Sequence, residues 1–204
     1  MTFSRRKYFT LIHNPTAGPR RLKKLSSIVS VLEDRDAVVR VLQTRSVGHA
    51  TELACSSIGE CDAVVAVGGD GTLAEVIGGI SGSEQAMGVL PLGTANSAAI
   101  DLGFMSRFKT HWPRVIDALS YGDAHPLYVG KVSHGEKRRH FILMVGVGFD
   151  GQIVEHVNLG IKKRWGKWAY ARTGLATWAS YRPLDLRVDG IKAHWIIVTN
   201  GQFY

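Results

Sequence analysis

The chain contains 204 residues, of which 45% are hydrophobic and 21% are charged, and this balance is typical of a globular protein rather than a disordered or fibrous one. Charges, glycines or prolines interrupt every apolar stretch before it reaches the roughly 20 residues of a membrane-spanning helix, so we expect no transmembrane segment. The two cysteines are too few for a disulfide framework and lack the companions of a zinc site, which favours a reducing cytosol. The net charge of +8 indicates attraction to polyanions, whether nucleic acid, an anionic membrane surface or a phosphorylated small molecule.

Short apolar runs alternate with helix-like segments through the first part of the chain. Strands separated by helices indicate a parallel sheet that is covered by helices. The predicted fold class is therefore α/β, with a Rossmann-like, three-layer N-terminal domain over residues 1–122. The predicted strands are residues 8–13, 38–44, 63–67 and 87–92, and the predicted helices are residues 22–32, 49–58, 72–80, 95–102 and 112–119.

After Pro126 the pattern changes to that of antiparallel strands, and a second domain is expected over residues 123–204. Its few strands would leave a sheet edge unpaired, which natural domains avoid. We therefore predict an incomplete antiparallel β-sandwich domain, in a chain truncated at its C-terminus. The predicted elements are a hairpin of residues 127–132 and 140–145, a helix within residues 165–181, and a strand pair of residues 184–188 and 194–199 around an Asp-Gly turn.

Three turns that contain glycine each follow a predicted strand and precede a helix. We call residues 14–18 (NPTAG) the first turn, residues 68–72 (GGDGT) the second turn and residues 93–96 (GTAN) the third turn. Because parallel strands end at the same edge of a sheet, the three turns can line a single crevice. The main-chain N–H groups at the start of a helix bind phosphate, so this crevice is a candidate phosphate site.

The second turn carries the strongest signal. It ends a continuous apolar run suited to a buried parallel strand, and glycine there permits positive φ and a close approach of the backbone. Thr72 and Glu75 match a capping box at the start of the next helix. The carboxylate of Asp70 would repel bound phosphates unless Mg²⁺ lay between them, which favours a magnesium–nucleotide complex and phosphoryl transfer. A simple tight turn is the alternative, and the two other turns weigh against it.

Other motifs are weaker or absent from the sequence. Residues 69–74 satisfy the loose glycine pattern of dinucleotide-binding proteins, but no acidic residue lies near position 90, where a ribose partner is expected. The sequence contains no P-loop, no H-E-x-x-H and no G-x-S-x-G motif. The basic segment 19–24 follows the first turn and is suited to phosphate or headgroup binding; a solvated helix face is the alternative.

The turns with their flanking residues, 14–18, 68–75 (GGDGTLAE) and 90–96 (LPLGTAN), resemble the signatures of the diacylglycerol kinase catalytic domain family, and in particular its bacterial soluble lipid kinases. Residues 147–150, 166–170 and 188–190 resemble the family's β-sandwich domain, so the resemblance spans nearly the whole chain. It implies an ATP-dependent lipid kinase that transfers the γ-phosphate of ATP to a hydroxyl of a membrane lipid such as diacylglycerol. ATP and Mg²⁺ are the implied cofactors.

The resemblance also implies roles for individual residues. Asp70 would organise the metal-bound phosphates, whereas the family's Mg²⁺ ligands and its general base would lie beyond Tyr204. The resemblance therefore implies no direct metal ligand among these 204 residues. This chain is expected to lack the base and to be inactive by itself. Ala74 and Ser97 depart from the family pattern and remove one amide and one carboxylate from the crevice. The implied ATP contacts are Asn14, Pro15, Thr16, Ala17, Gly18, Thr44, Gly68, Gly69, Asp70, Gly71, Thr72, Leu73, Ala74, Glu75 and Thr94.

Residues 162–168 (KKRWGKW) interleave cations with tryptophans, a composition suited to the headgroup level of an anionic membrane. An ordinary helix packed on the sandwich is the alternative. We expect a cytoplasmic protein that associates peripherally with the inner membrane face and binds no nucleic acid. Its oligomeric state is left open, with a homodimer as one alternative. Two other functions remain as hypotheses: a kinase of a soluble acceptor, similar to NAD kinases, and a non-catalytic nucleotide-binding module.

Overall fold

The computed structural model describes residues 5–15, 19–106, 109–148, 185–188 and 190–201. The chain divides into two compact units, Met1–Ile142 and Leu143–Gln202. The hairpin at residues 130–141 groups with the first unit, although it follows the domain boundary that the sequence suggested at residues 122–123. That boundary between functional domains stays a prediction.

The first unit alternates strands and helices as the sequence predicts, and it ends in a hairpin. Each strand of the first sheet lies within the predicted run or extends it by a residue. The elements are β1 (Tyr8–His13), α1 (Pro19–Glu33), β2 (Val38–Gln43), α2 (His49–Cys55), β3 (Ala63–Gly68), α3 (Asp70–Ile80), β4 (Met87–Pro91), α4 (Ser97–Asp101), α5 (Trp112–Tyr121), β5 (Gly130–His134) and β6 (Lys137–Phe141).

The main sheet has four parallel strands in the order β2-β1-β3-β4. Its register aligns His13 with Gln43 on one side and with Val67 on the other, and aligns Gly68 with Pro91. The carboxyl ends of all four strands therefore lie along one edge. This arrangement confirms the predicted α/β class.

Helices cover both faces of this sheet. One face packs beneath α1 and α5 in a cluster of buried side chains that includes Phe9, Leu11, Ile28, Val65 and Leu119. Helices α2 and α3 pack against each other and against β1 and β3, and their buried residues lie outside that cluster. The result is the predicted three-layer arrangement. Apolar burial of this kind stabilises by about 25 cal/mol per Å².

The start of the chain is tied to the end of α5 by one side chain. The guanidinium of Arg6 donates from Nε to the carbonyl oxygen of Leu119 at 2.8 Å, and from Nη2 to the carbonyl oxygens of Ala118 and Gly122. The last carbonyls of a helix have no partner within the helix, so a cation there satisfies them and also interacts favourably with the helix dipole. Arg6 thereby fixes the end of α5 to the segment that enters β1.

The second unit contains short strands: β7 (Met144–Val147), β8 (Leu186–Val188), β9 (Ile191–Ala193) and β10 (Ile196–Thr199). In the described part of this unit, β8 pairs with β9 and β10 pairs with β7, and both pairs are antiparallel. The predicted partnership of residues 184–188 with residues 194–199 is therefore wrong. Gly190 has a φ of +83°, which allows a tight turn and brings β9 back onto β8 instead.

The first hairpin also differs from its prediction. Its strands are β5 and β6, joined at Gly135, which has a φ of +58°, and the predicted run 140–145 is divided between β6 and β7. The predicted helix in residues 165–181 and the basic, tryptophan-rich residues 162–168 lie outside the described residues. None of the helices in the described part of the chain has the length and apolar character needed to cross a membrane.

Candidate functional site

The three turns begin at the same edge of the sheet. The N–H of Asn14, directly after β1, donates to the carbonyl oxygen of Val67 near the end of β3 at 3.3 Å. The N–H of Thr44, after β2, donates to the carbonyl oxygen of His13 at 2.9 Å, and Thr44 is buried. These bonds extend the strand pairing to Asn14 and Thr44, just past the ends of β1 and β2.

The second and third turns are in direct backbone contact at Gly69 and Gly93. A β-carbon built on Gly93 would overlap Cα of Gly69, and a β-carbon on Gly69 would lie 3.2 Å from Cα of Gly93. Gly69 has a φ of −102°, which other residues can adopt. Glycine is thus needed here for close approach and not for the positive φ that the sequence also allowed.

Asn96 holds the third turn together. Its φ is 53°, in the left-handed region that asparagine tolerates better than most residues. Its side chain accepts a hydrogen bond from the N–H of Gly93 at 2.9 Å and donates to the carbonyl oxygens of Pro91 and Gly93. The sequence placed Asn96 in the turn but gave it no role, although asparagine after Gly-Thr-Ala is itself a turn signal.

Asp70 connects the second turn to α4. It is the first residue of α3, and its Oδ1 accepts a hydrogen bond from the N–H of Ala98 in the first turn of α4 at 2.9 Å. The other carboxylate oxygen has no hydrogen-bond partner among the described residues. Asp70 is half-buried.

The predicted capping box of Thr72 and Glu75 is wrong. Helix α3 begins at Asp70, with Gly69 as its N-cap residue and no side-chain cap, so Thr72 already lies within the first turn of the helix. Glu75 instead accepts a hydrogen bond from the N–H of Ala50 at 3.2 Å and thereby caps α2. Its carbonyl oxygen also accepts from the hydroxyl of Thr51 at 2.9 Å. Glu75 fixes α2 to α3 rather than closing its own helix.

The remaining predicted contact residues differ in accessibility. Gly71 and Thr94 are exposed, and a β-carbon built on Gly71 would meet no atom within 4 Å. Leu73 is buried on α3 and Ala74 is half-buried. The predicted residues Thr16, Ala17 and Gly18 lie outside the described part of the chain, and every predicted ATP contact stays a prediction.

Arg21 on α1 reaches the third turn. Its Nη2 donates to the hydroxyl of Thr94 at 3.3 Å, across more than seventy residues of sequence. The sequence indicated only a basic segment at residues 19–24 and did not distinguish Arg21 within it. Side-chain reach between a helix and a distant turn depends on how the layers pack, which the local pattern does not encode.

His13 is a buried titratable group at the same edge. It is fully buried, and neither ring nitrogen has a hydrogen-bond partner among the described residues. Loss of solvation on burial lowers the pKa of His13 below its usual value of 6.5, which favours the neutral ring. Its register partner Val67 belongs to the cluster beneath α1 and α5, and paired residues share a face of the sheet, so His13 also lies on that face.

The described residues contain no group of three or more histidine, cysteine, aspartate or glutamate side chains arranged to hold a metal ion. They do fit a magnesium ion of the kind that binds with a nucleotide. Mg²⁺ usually keeps several waters and takes one or two protein carboxylates together with the phosphates of its substrate. The unpartnered oxygen of Asp70 suits that requirement.

A cavity lined by described residues lies away from the turns. It has a volume of about 650 Å³ and extends along β4 and α5, with Met87, Gly88, Leu119 and Phe104 in its wall. Its one arginine, Arg6, already bonds to the carbonyls of α5. The groups suited to phosphate are therefore at the edge of the sheet and not in this cavity.

A parallel sheet between helical layers, with glycine turns meeting at its carboxyl edge, places the chain among the Rossmann-like α/β proteins. The model of the diacylglycerol kinase catalytic domain matches residues 8–132, which is more than half of the chain. The chain belongs to the diacylglycerol kinase catalytic domain family.

Two relatives illustrate the similarity. The chain is 29% identical over 183 residues to a diacylglycerol kinase of Bacillus subtilis (strain 168), covering 88% of this chain and 58% of the relative. It is 30% identical over 188 residues to a diacylglycerol kinase of Staphylococcus saprophyticus, covering 90% of this chain and 59% of the relative. The chain therefore spans less than two thirds of the length of these relatives.

The fold is also similar to that of a solved structure, a diacylglycerol kinase from Bacillus anthracis str. Sterne. The TM-score is 0.66, with 22% sequence identity, and the match covers 98% of this chain and 66% of the other. At this level of identity the similarity concerns the fold alone. It supports the predicted class of an α/β domain followed by antiparallel strands.

Proposed function

We propose that this protein is an ATP-dependent lipid kinase that transfers the γ-phosphate of ATP to a hydroxyl of a membrane lipid such as diacylglycerol. The observation that carries the proposal is the contact between Gly69 and Gly93, which brings two turns together at the edge of the sheet. Family membership and the diacylglycerol kinases among the relatives support the choice of reaction and substrate.

The polyphosphate of ATP would lie at the start of α3. The first N–H groups of a helix have no partner within the helix and carry its partial positive charge, so they bind anions. Gly69 and Gly71 bear no side chain, and the space beside Gly71 is open, so a phosphate oxygen can approach the main chain there. Asn14 and Pro15, which follow β1, would border the same crevice.

Asp70 would hold Mg²⁺ through the carboxylate oxygen that Ala98 does not use. When bound, the ion would neutralise negative charge on the phosphates as the γ-phosphate is transferred. The contribution of the chain itself is positional: the bond to Ala98 fixes the aspartate, and Asn96 and Gly93 fix the neighbouring turn. Positioning and charge compensation account for most of the catalysis of phosphoryl transfer.

The lipid would be presented by a peripheral contact with the inner membrane face. This part of the proposal draws on the cation and tryptophan composition of residues 162–168 and on the family resemblance. By the family resemblance, the general base that activates the lipid hydroxyl would lie after Tyr204. Activity is therefore best measured with the product of the complete gene.

The proposal is tested by supplying ATP labelled at the γ-phosphate together with diacylglycerol in anionic vesicles and, in parallel, with NAD. We expect label in the organic extract from the lipid reaction only. Asp70→Asn should abolish transfer, because asparagine retains an oxygen for Ala98 but removes the charge that would hold Mg²⁺. Asp34→Asn, at an exposed position after α1, is the matched control and should retain activity.

Other outcomes would point to a different function or a different mechanism. Label that stays in the aqueous phase with NAD would favour a kinase of a soluble acceptor. ATP binding without transfer to either acceptor would favour a non-catalytic nucleotide-binding module. An Asp70→Asn enzyme as active as the wild type would remove Asp70 from the mechanism.

A further inference from the structure

We propose that Arg21 is a direct ligand of the nucleotide phosphates, and that its guanidinium exchanges the hydroxyl of Thr94 for phosphate oxygens when ATP binds. The proposal rests on the proposed function, since it requires ATP in the crevice between the turns. It adds a specific phosphate-recognition residue that lies outside the glycine turns themselves.

The position of Arg21 distinguishes it from the other cations of α1. Its side chain is half-buried and extends to Thr94 of the third turn, whereas Arg20 and Lys23 on the same helix are exposed. The ammonium of Lys24 lies 4.8 Å from the centre of the Trp112 ring and is occupied by that contact. Within the described part of α1, Arg21 is thus the cation whose contact lies at the crevice.

The hydrogen bond from Arg21 to Thr94 is readily exchanged. At 3.3 Å it is long, and its acceptor is a neutral hydroxyl at an exposed position. A guanidinium has five N–H donors in a planar fork that matches a phosphate, and this is the one hydrogen bond that Arg21 makes to the described residues. A phosphate carries a negative charge and can accept two parallel bonds from the guanidinium, whereas the hydroxyl of Thr94 is neutral and accepts one, so a bound phosphate would displace the hydroxyl.

The charge at the crevice gives a second reason. Asp70 places a carboxylate beside the second turn, at the start of α3. A triphosphate adds several further negative charges, of which one Mg²⁺ neutralises only a part. A cation held at the third turn supplies part of the remaining compensation, and an arginine binds phosphate with more directional bonds than a lysine does.

The test is a set of dissociation constants, measured by calorimetry, for ATP, inorganic tripolyphosphate and adenosine. We expect Arg21→Gln to weaken the binding of ATP and of tripolyphosphate roughly tenfold to hundredfold, since a hydrogen bond to a charged group is lost. The affinity for adenosine, which has no phosphate, should not change. Arg21→Lys, which retains the charge without the fork, should lose less affinity than Arg21→Gln.

Arg20→Gln is the matched control, because it removes the same charge from the same turn of α1 and should change the affinity for ATP by less than threefold, roughly the effect of one exposed charge pair. Thermal unfolding of each variant establishes that it is folded. Unchanged ATP binding by Arg21→Gln would overturn the proposal. So would equal losses in the Arg20 and Arg21 variants, or an equal loss of adenosine binding. A wild-type protein that binds no ATP would instead refute the proposed function, and this proposal with it.

Discussion

The carboxylate of Asp70 accepts a hydrogen bond from the main-chain N–H of Ala98, so the acidic residue of the second turn also fixes the start of α4. One side chain therefore serves both the fold and the proposed chemistry. Replacing it changes two properties at once, and an informative mutation must separate them.

Asp70→Ala and Asp70→Asn make that separation. Alanine leaves the N–H of Ala98 without its partner, and we expect a loss of about 0.5–2 kcal/mol in the free energy of unfolding, as for other helix N-terminal caps. Asparagine retains the acceptor oxygen and should lose less. Urea unfolding of the two variants measures the difference. Equal stability of both variants would mean that the bond to Ala98 contributes nothing.

Gly93→Ala should disrupt the contact between the second and third turns. The new β-carbon would overlap Gly69 and the side-chain oxygen of Asn96, so the turns must separate. We expect a loss of about 1–3 kcal/mol in stability, typical of overpacking, together with a loss of ATP affinity. Chemical denaturation and calorimetry measure the two effects. Wild-type values for both would show that the turns can move apart without cost.

Gly71→Ala is the complementary change, because its β-carbon would enter open space. Alanine is a better helix former than glycine, so stability should stay the same or rise by up to about 1 kcal/mol. ATP affinity should nevertheless fall, since a methyl group would occupy the proposed phosphate position. Reduced stability with normal ATP affinity would contradict both expectations and the placement of the phosphates.

His13 predicts a dependence of stability on pH. Because burial lowers the pKa of His13 in the folded state, the unfolded chain binds a proton more readily, and its histidine has an ordinary pKa of about 6.5. The stability that His13 contributes is present above that value and decreases as the pH falls below it towards the folded pKa. Urea unfolding between about pH 7.5 and pH 5.5 should show this loss.

A His13→Leu variant provides the control. Leucine cannot be protonated and leaves no buried nitrogen without a partner, so the loss of stability over this pH range should become smaller. An unchanged pH profile in this variant would assign the effect to another group.

Arg6→Ala should loosen the end of α5. It removes hydrogen bonds to the carbonyl oxygens of Ala118, Leu119 and Gly122, and we expect destabilisation by about 1–3 kcal/mol. Hydrogen exchange should quicken in the last turn of α5. Arg40→Ala, at an exposed position on β2, is the control and should have little effect. Equal effects of the two changes would point to net charge and not to the bonds.

The sequence predicts the first sheet well and the second unit poorly. The apolar runs of β1 and β3 are continuous because both faces of the sheet are buried, so the run and the strand coincide. The strand at residues 194–199 was equally visible, but its partner was not. Strand pairing depends on tertiary packing, and β10 pairs with β7, almost fifty residues away in sequence.

The candidate site, like the fold, could be predicted from the sequence only in part. Glycine and aspartate in the second turn were identifiable because each has a distinct chemical use there. The hydrogen bonds of Asp70 and Glu75 could not be predicted, because their partners, Ala98 and Ala50, are distant in sequence. Arg21 was hidden for the same reason, because its contact with Thr94 exists only once α1 lies over the sheet.

The touching backbones of Gly69 and Gly93 also restrict how the protein can evolve. Neither position can acquire a new side chain unless the other segment moves, so substitutions there cannot be tried one at a time. Neighbouring exposed positions such as Thr94 are under no such restriction from the contact.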